Sequence, residues 1–305
     1  MMEILLILAS SIIFISTASA SPVLDLNFPD PCVVVENGLY HVYATNGYGK
    51  NIQYATSADL KQWSVQGDAL PKLGSWVSGP GLTWAPYVFK TDEGYTMYYT
   101  AHDRKTNWQC IGIATSSTLN GTFVDRRSEP LICPADSNYG AIDPYMFVEN
   151  GRYIVYSSTK YLKTGIYIQS TNEKGDNVTS APTKLIEVSL DWENGVNEAP
   201  TLVKHGSRYI LFYSGASTFD ADKYKTSYAT SDNIFGPYIK AAEPLITTPL
   251  TNGDALGPGG EDVITGTDGK DYIFFHGWDK AYKKRMLFVN HLGWQNDTPV
   301  LGAPV

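Results

Sequence analysis

A single hairpin pattern recurs five times along this chain, and that recurrence constrains the fold more than any other feature. The copies begin at Asp30-Pro31, Ala85-Pro86, Asp143-Pro144, Glu198-Ala-Pro200 and Gly260-Glu-Asp262. Each runs through a short apolar stretch, a turn containing glycine, and a segment of aromatic and β-branched residues such as Tyr95-Thr-Met-Tyr-Tyr-Thr100 or Tyr209-Ile-Leu-Phe-Tyr213. That is the signature of a β-hairpin. A spacing of roughly 50–60 residues falls in the range of propellers and solenoids. A weaker motif after the hairpins, seen at Ile52-Gln-Tyr-Ala-Thr-Ser57, Ile111-Gly-Ile-Ala-Thr-Ser116 and Thr226-Ser-Tyr-Ala-Thr-Ser231, supplies a third strand. The segment before the next unit can supply a fourth. Four strands repeated five times predict an all-β, five-bladed β-propeller, with four-stranded antiparallel blades around a central channel.

Residues 1–20 are set apart from this pattern. Ile4 to Ile15 is almost continuously apolar and Ala18-Ser-Ala20 matches a small-residue cleavage site, as in a secretory signal peptide, although no basic residue precedes the apolar run. The run is short for a membrane span. Residues 21–305 are expected to form one propeller domain, secreted and monomeric. A net charge of −8 with no basic stripe argues against nucleic acid and anionic membranes as partners. A neutral ligand suits this balance better than an acidic polymer. Cys110 and Cys133 flank the later strands of the second unit, where a disulfide would suit an exported chain. Cys32 is then a buried thiol, and the cysteines show no metal-ligand spacing. Asn120-Gly-Thr, Asn177-Val-Thr and Asn296-Asp-Thr are glycosylation triplets.

The inner strand of each blade lines the channel, so residues opening those strands meet at one mouth. Asp30, Asp143 and Glu198 open the first, third and fourth units. Aligning the prolines makes Asp30, Ala85, Asp143 and Ala199 equivalent, and Glu198 stands one residue earlier with a longer side chain. An Asp before Pro is ordinarily a turn residue. Three acids converging on one mouth are a different matter, because burying them together is costly unless they are paired or protonated. Such a cluster drives pKa values apart and lets an acid and a base coexist at one pH. Two carboxylates flanking a glycosidic bond are the equipment for its hydrolysis.

Taken together, Asp30-Pro, Trp84-Ala-Pro, Ala141-Ile-Asp143-Pro, Glu198-Ala-Pro, Gly257-Pro-Gly-Gly-Glu-Asp262 and His276-Gly-Trp278 resemble glycoside hydrolase family 43, in order and over essentially all of residues 21–305. The resemblance implies an inverting glycosidase acting on arabinose- or xylose-containing plant polysaccharides. It implies Asp30 as general base, Glu198 as general acid, and Asp143 as the residue that raises the pKa of Glu198 and orients it. An inverting pair stands about 6.5–9.5 Å apart. It further implies Trp84 at the channel mouth as a sugar platform and Arg285 as a clamp, with Phe28, Asn46 and Ile142 bordering the pocket. No cofactor is expected for the chemistry. His276 matches a central-channel histidine beside which calcium or another ion is expected. The chain departs from the family pattern at Tyr87, where an acid is common, at Cys32, where a small residue is common, and at Glu261, where an amide or His is expected.

The segments Gly67-Asp-Ala-Leu-Pro71, Cys110 to Ser116 and Gly257 to Gly260 resemble single-domain arabinan-active members. The expected activity is therefore that of an α-L-arabinofuranosidase or exo-acting arabinanase. An endo-arabinanase or β-xylosidase is the nearest alternative, and a carbohydrate-binding propeller is the non-catalytic one.

Overall fold

The computed structural model describes residues 21–134, 140–160, 163–221 and 223–305. The proposed signal peptide lies outside them. The strands follow the predicted order, blade by blade. Blade 1 holds β1 (Cys32–Glu36), β2 (Leu39–Ala44), β3 (Gln53–Ser57) and β4 (Ser64–Val65). Blade 2 holds β5 (Thr83–Thr91), β6 (Gly94–His102) and β7 (Gln109–Ser116). Blade 3 holds β8 (Ala141–Val148), β9 (Arg152–Lys160), β10 (Lys163–Thr171) and β11 (Thr183–Glu187). Blade 4 holds β12 (Asn197–His205), β13 (Arg208–Gly215), β14 (Lys225–Ser231) and β15 (Ile239–Lys240). Blade 5 holds β16 (Leu256–Thr265), β17 (Asp271–Trp278), β18 (Arg285–Gln295) and β19 (Thr298–Pro304). All pair antiparallel with their sequence neighbours, as a meander requires. In blade 2 the outermost position is reduced to isolated antiparallel bridges, Thr115 with Val124 and Ile111 with Ile132.

Alternating aromatic and aliphatic residues fill the spaces between blades. Val33, Val42 and Ala44 of blade 1 pack with Phe274 and Leu287 of blade 5 in one buried cluster. The ring is closed by residues 23–28, whose amides at Val23 and Phe28 donate to Leu287 O and Arg285 O on β18. Phe28 is fully buried in that joint. This corrects its expected place on the pocket wall: the backbone bond to β18 turns its ring into the core.

Cys110 and Cys133 form a disulfide that closes a separation of 23 residues, and Cys32 is the free, buried thiol. Closing a loop of this size contributes about 3 kcal/mol in the chain-entropy account. Reduction, or a Cys110→Ser/Cys133→Ser pair, is expected to lower unfolding free energy by about that amount in a denaturant titration. Asn120, Asn177 and Asn296 are all exposed, as glycan acceptors must be.

Candidate active site

The five inner strands share a backbone device that aims their first side chains. Asp30, Ala85, Asp143, Ala199 and Gly260 all take left-handed φ values, of 57°, 38°, 54°, 53° and 62°. In blades 2–5 the ladder register shifts at this point, which marks a β-bulge. Left-handed backbone is strained for residues with a Cβ, and bulges recur where a side chain must be re-aimed beside a site. Proline follows in four blades, where its missing N–H costs no ladder bond. Glu261 takes the proline's place in the fifth.

Three rings of residues result. The left-handed residues form one, Pro31, Pro86, Pro144, Pro200 and Glu261 the next, and Cys32, Tyr87, Tyr145, Thr201 and Asp262 the third. They enclose only about 30 Å³, so the channel is a plug with room for little beyond water. Chemistry on a sugar belongs at the mouth, above this plug. Tyr87, the departure from the family acid, packs on Tyr145 with ring centroids 4.4 Å apart. A larger cleft of about 660 Å³ lies around the turn Thr91–Tyr95 and contains none of the three mouth carboxylates.

The amide of each left-handed residue is held by the neighbouring blade. Thr45 Oγ1 accepts from Ala85 (2.9 Å), Thr100 Oγ1 from Asp143 (3.1 Å), Ser214 Oγ from Gly260 (2.9 Å) and His276 Nδ1 from Asp30 (3.2 Å). Blade 3 breaks the series. Ser157 pairs with Ile142 across the ladder, yet its buried hydroxyl has no partner. The Ala199 amide instead donates to Asp143 Oδ2 at 2.9 Å. Asp143 is thereby tied to the residue next to Glu198.

Asp30 is the ionised member. Thr45 Oγ1 donates to its Oδ2 at 2.5 Å, and Arg285 Nη1 lies 3.4 Å from its Oδ1. Burial pushes its pKa up, but the Arg285 guanidinium, with His276 and the hydrogen bonds, outweighs burial and holds the carboxyl well below the usual range. Burial pushes the His276 pKa down against the Asp30 charge that raises it, and Arg285 is the permanent charge beside Asp30. His276 Nδ1 lies 3.2 Å from both the Asp30 amide nitrogen and Asp30 Oδ1, and Nε2 lies 3.3 Å from Thr218 Oγ1. Arg285 Nη1 donates to the same Thr218 oxygen at 3.1 Å.

Both His276 nitrogens are thus engaged, and an ion there would sit beside a guanidinium. Among the described residues the one cluster of three potential ligands is Asp103, Cys110 and Cys133, and it contains the disulfide. No step below uses an ion at His276.

Glu198 is the member whose pKa is raised. It projects beside Tyr224, whose hydroxyl donates to Oε1 at 2.9 Å. Tyr224 stacks on His276, with centroids 5.8 Å apart and planes within 14°. A Cβ on Gly259 would fall 2.1 Å from the Tyr224 ring, so only glycine admits this packing. Burial pushes the Glu198 pKa up to about 7; the Tyr224 hydrogen bond pulls against it and the Asp30 charge adds to it. The Asp143 pKa is also raised, by burial first and then by the charges of Glu198 and Asp30. Burial, rather than Asp143, is therefore the main cause lifting Glu198, and the two raised carboxyls titrate as a coupled pair.

The remaining expected residues fall at different depths. Trp84 and Ile142 occupy the register position of Glu198 in blades 2 and 3, and all three are half-buried, which suits a pocket wall. Asn46 is half-buried, its amide bonded to Thr83 O. Arg285 is 13% exposed, and its guanidinium lies 5.8 Å over the Trp278 ring. Tyr224, Thr45, Thr218 and Ser214 went unnoticed in the sequence. Thr100 in β6, Ser214 in β13 and Thr45 just beyond β2 share a hydroxyl five positions after a Tyr, which was a readable signal.

A propeller mouth with one carboxyl driven toward ionisation and another raised toward neutrality defines a glycosidase-like site. Residues 19–299 match the family described as Glycosyl hydrolases family 43, and the chain belongs to that family. It is similar to the Extracellular endo-alpha-(1->5)-L-arabinanase 1 of Bacillus subtilis (strain 168), at 27% identity over 96% of this chain and 94% of that protein. It is also similar to the Probable arabinan endo-1,5-alpha-L-arabinosidase C of Aspergillus niger, at 30% identity over 90% of each. A solved thermostable family-43 glycoside hydrolase superposes with a TM-score of 0.82 at 24% identity, covering 94% of this chain and 97% of that one; it shares the fold.

Proposed function

We propose that this protein hydrolyses α-L-arabinofuranosyl linkages of arabinan by single displacement with inversion. The observation that carries the reading is the set of carboxyls at one mouth: Asp30 lies 3.4 Å from the Arg285 guanidinium with its pKa driven down, and Glu198 is held by the Tyr224 hydroxyl with its pKa pushed up to about 7. Asp30 takes a proton from a water whose oxygen attacks the anomeric carbon. Glu198 gives its proton to the departing glycosidic oxygen. One water is consumed, and both carboxyls return to their starting states by exchange with solvent. Asp143, bonded to the Ala199 amide, holds the Glu198 backbone in place and shares the site's proton. Arg285 keeps Asp30 ionised. Export by residues 1–20 fits a polymer substrate outside the cell, and the Bacillus relative is named extracellular.

The sequence segments noted above favour release of arabinose from chain ends. The names of the two curated relatives favour cuts within the chain, which is the second reading. Product analysis on linear arabinan, debranched arabinan and xylan tests both. Arabinose alone supports the first, arabino-oligosaccharides the second, and xylose or no product from any polymer contradicts the proposal.

The pH profile of kcat/KM has a worked sign. Glu198 must be protonated, so activity is lost as pH rises through about 7. Asp30 must be ionised, so activity is lost only as pH falls below the ordinary carboxylate range. Arg285→Ala is expected to move the acid limb upward, because burial then acts on Asp30 unopposed by that charge. An acid limb that does not move would remove Arg285 from this role.

A further inference from the structure

The face opposite the mouth has no part in the mechanism above, and the three Asn-x-Thr triplets of the sequence all fall there. Each inner strand starts at the mouth, so in an antiparallel meander the turn from the third to the fourth strand lies on the far face. Asn120 stands in that connection of blade 2, between β7 and the bridge at Val124. Asn177 stands in that of blade 3, between β10 and β11, and Asn296 in that of blade 5, between β18 and β19. Triplets arising by chance would fall on either face, yet the loops of the mouth hold none.

The surroundings of each asparagine suit an attached sugar. All three are exposed. Among the described residues their Nδ2 atoms make no hydrogen bond, whereas those of Asn51, Asn172, Asn197 and Asn290 donate to protein oxygens. Gly121 and Thr122 of the first triplet, and Asp176 beside the second, line the cleft of about 660 Å³. A first sugar on Asn120 or Asn177 therefore meets open space instead of packed side chains. Asn296 sits at the tip of a two-residue hairpin whose flanking residues Gln295 and Thr298 pair.

We propose that Asn120, Asn177 and Asn296 carry N-linked glycans, which confines attached carbohydrate to the face away from the polysaccharide. In the step, Nδ2 bonds to the anomeric carbon of an oligosaccharide carried on a lipid diphosphate. The bond from that carbon to the diphosphate oxygen breaks, the lipid diphosphate leaves with the electron pair, and Nδ2 loses a proton. A glycan is bulky and strongly solvated. On a mouth loop it would obstruct an entering polymer; on the far face it covers surface that the reaction leaves idle. This inference rests on export by residues 1–20 and is independent of the hydrolytic reading.

The full chain, with residues 1–20, is expressed in yeast, and the protein in the medium is treated with peptide N-glycosidase in heavy-oxygen water. Each glycan removed leaves a heavy-oxygen label at its former attachment point, which peptide mass spectrometry locates. Label at Asn120, Asn177 and Asn296 is the expected result. Failure of residues 1–20 to export the chain, or a missing label at any of the three, overturns the proposal. Asn120→Gln, Asn177→Gln and Asn296→Gln are each expected to remove the mass of one glycan, since exposed substitutions of this kind leave the fold intact. The glycosylated and deglycosylated proteins are expected to agree in kcat/KM on linear arabinan within about twofold. A larger gain on deglycosylation would put a glycan over the mouth and overturn the assignment to the far face. If neither form acts on arabinan, the hydrolytic reading falls, and the labels still decide the acceptors.

Discussion

Glu198→Gln is expected to lower kcat on arabino-oligosaccharides by about 10³-fold while costing no more than about tenfold on aryl arabinofuranosides with good leaving groups. The amide keeps the size and the Tyr224 contact of the acid. What it loses is the proton delivered to the glycosidic oxygen, and an activated phenolate leaves without that help. The alkaline limb near pH 7 should vanish in this variant, since the group that titrates there has gone. Steady-state kinetics on both substrate types from pH 4 to 9 would check it. A uniform loss on both would mean that Glu198 does not act as the acid.

Asp30→Asn should be more damaging and less discriminating, with kcat reduced by about 10³-fold or more on both substrate types. Activation of water is required whatever the leaving group. The structure gives the base every means of staying ionised: Arg285 at 3.4 Å, the Thr45 hydroxyl at 2.5 Å, and a backbone amide pinned to His276. An amide at position 30 cannot take a proton from water, and it leaves the Arg285 charge without its carboxylate. Kinetics on arabinotriose and the nitrophenyl glycoside, with the fold checked by circular dichroism, decide it. A loss confined to the poor leaving group would exchange the roles of Asp30 and Glu198.

The propeller was legible because its hairpins repeat with the same glycine-containing turn and the same aromatic and β-branched segment after it. The aligned prolines even reported the register, and Asp30, Ala85, Asp143 and Ala199 do share one backbone conformation. Other parts of the site were not legible, for physical reasons. Tyr224 immediately precedes β14, and only the stacking on His276 and the open space over Gly259 bring its hydroxyl to Glu198. Phe28 read as a pocket residue because it sits two places before Asp30, but the bond to β18 that closes the ring draws it into the core. His276 could be recognised by its motif, whereas the use of each ring nitrogen depends on Asp30 and Thr218, two partners far apart in sequence. Asp143 was expected mainly to raise the Glu198 pKa; its most definite contact is to the Ala199 amide, a consequence of Ser157 not filling the role played by hydroxyls in neighbouring blades.

The stereochemistry of the first product tests the central claim most directly. Proton NMR during the first minutes of arabinotriose hydrolysis resolves the anomers before mutarotation mixes them. An inverting pair made of Asp30 and Glu198 predicts that the newly formed reducing end appears first as the β anomer. The α anomer appearing first would contradict the account, since it requires a carboxylate to attack carbon where Asp30 is assigned to activate water.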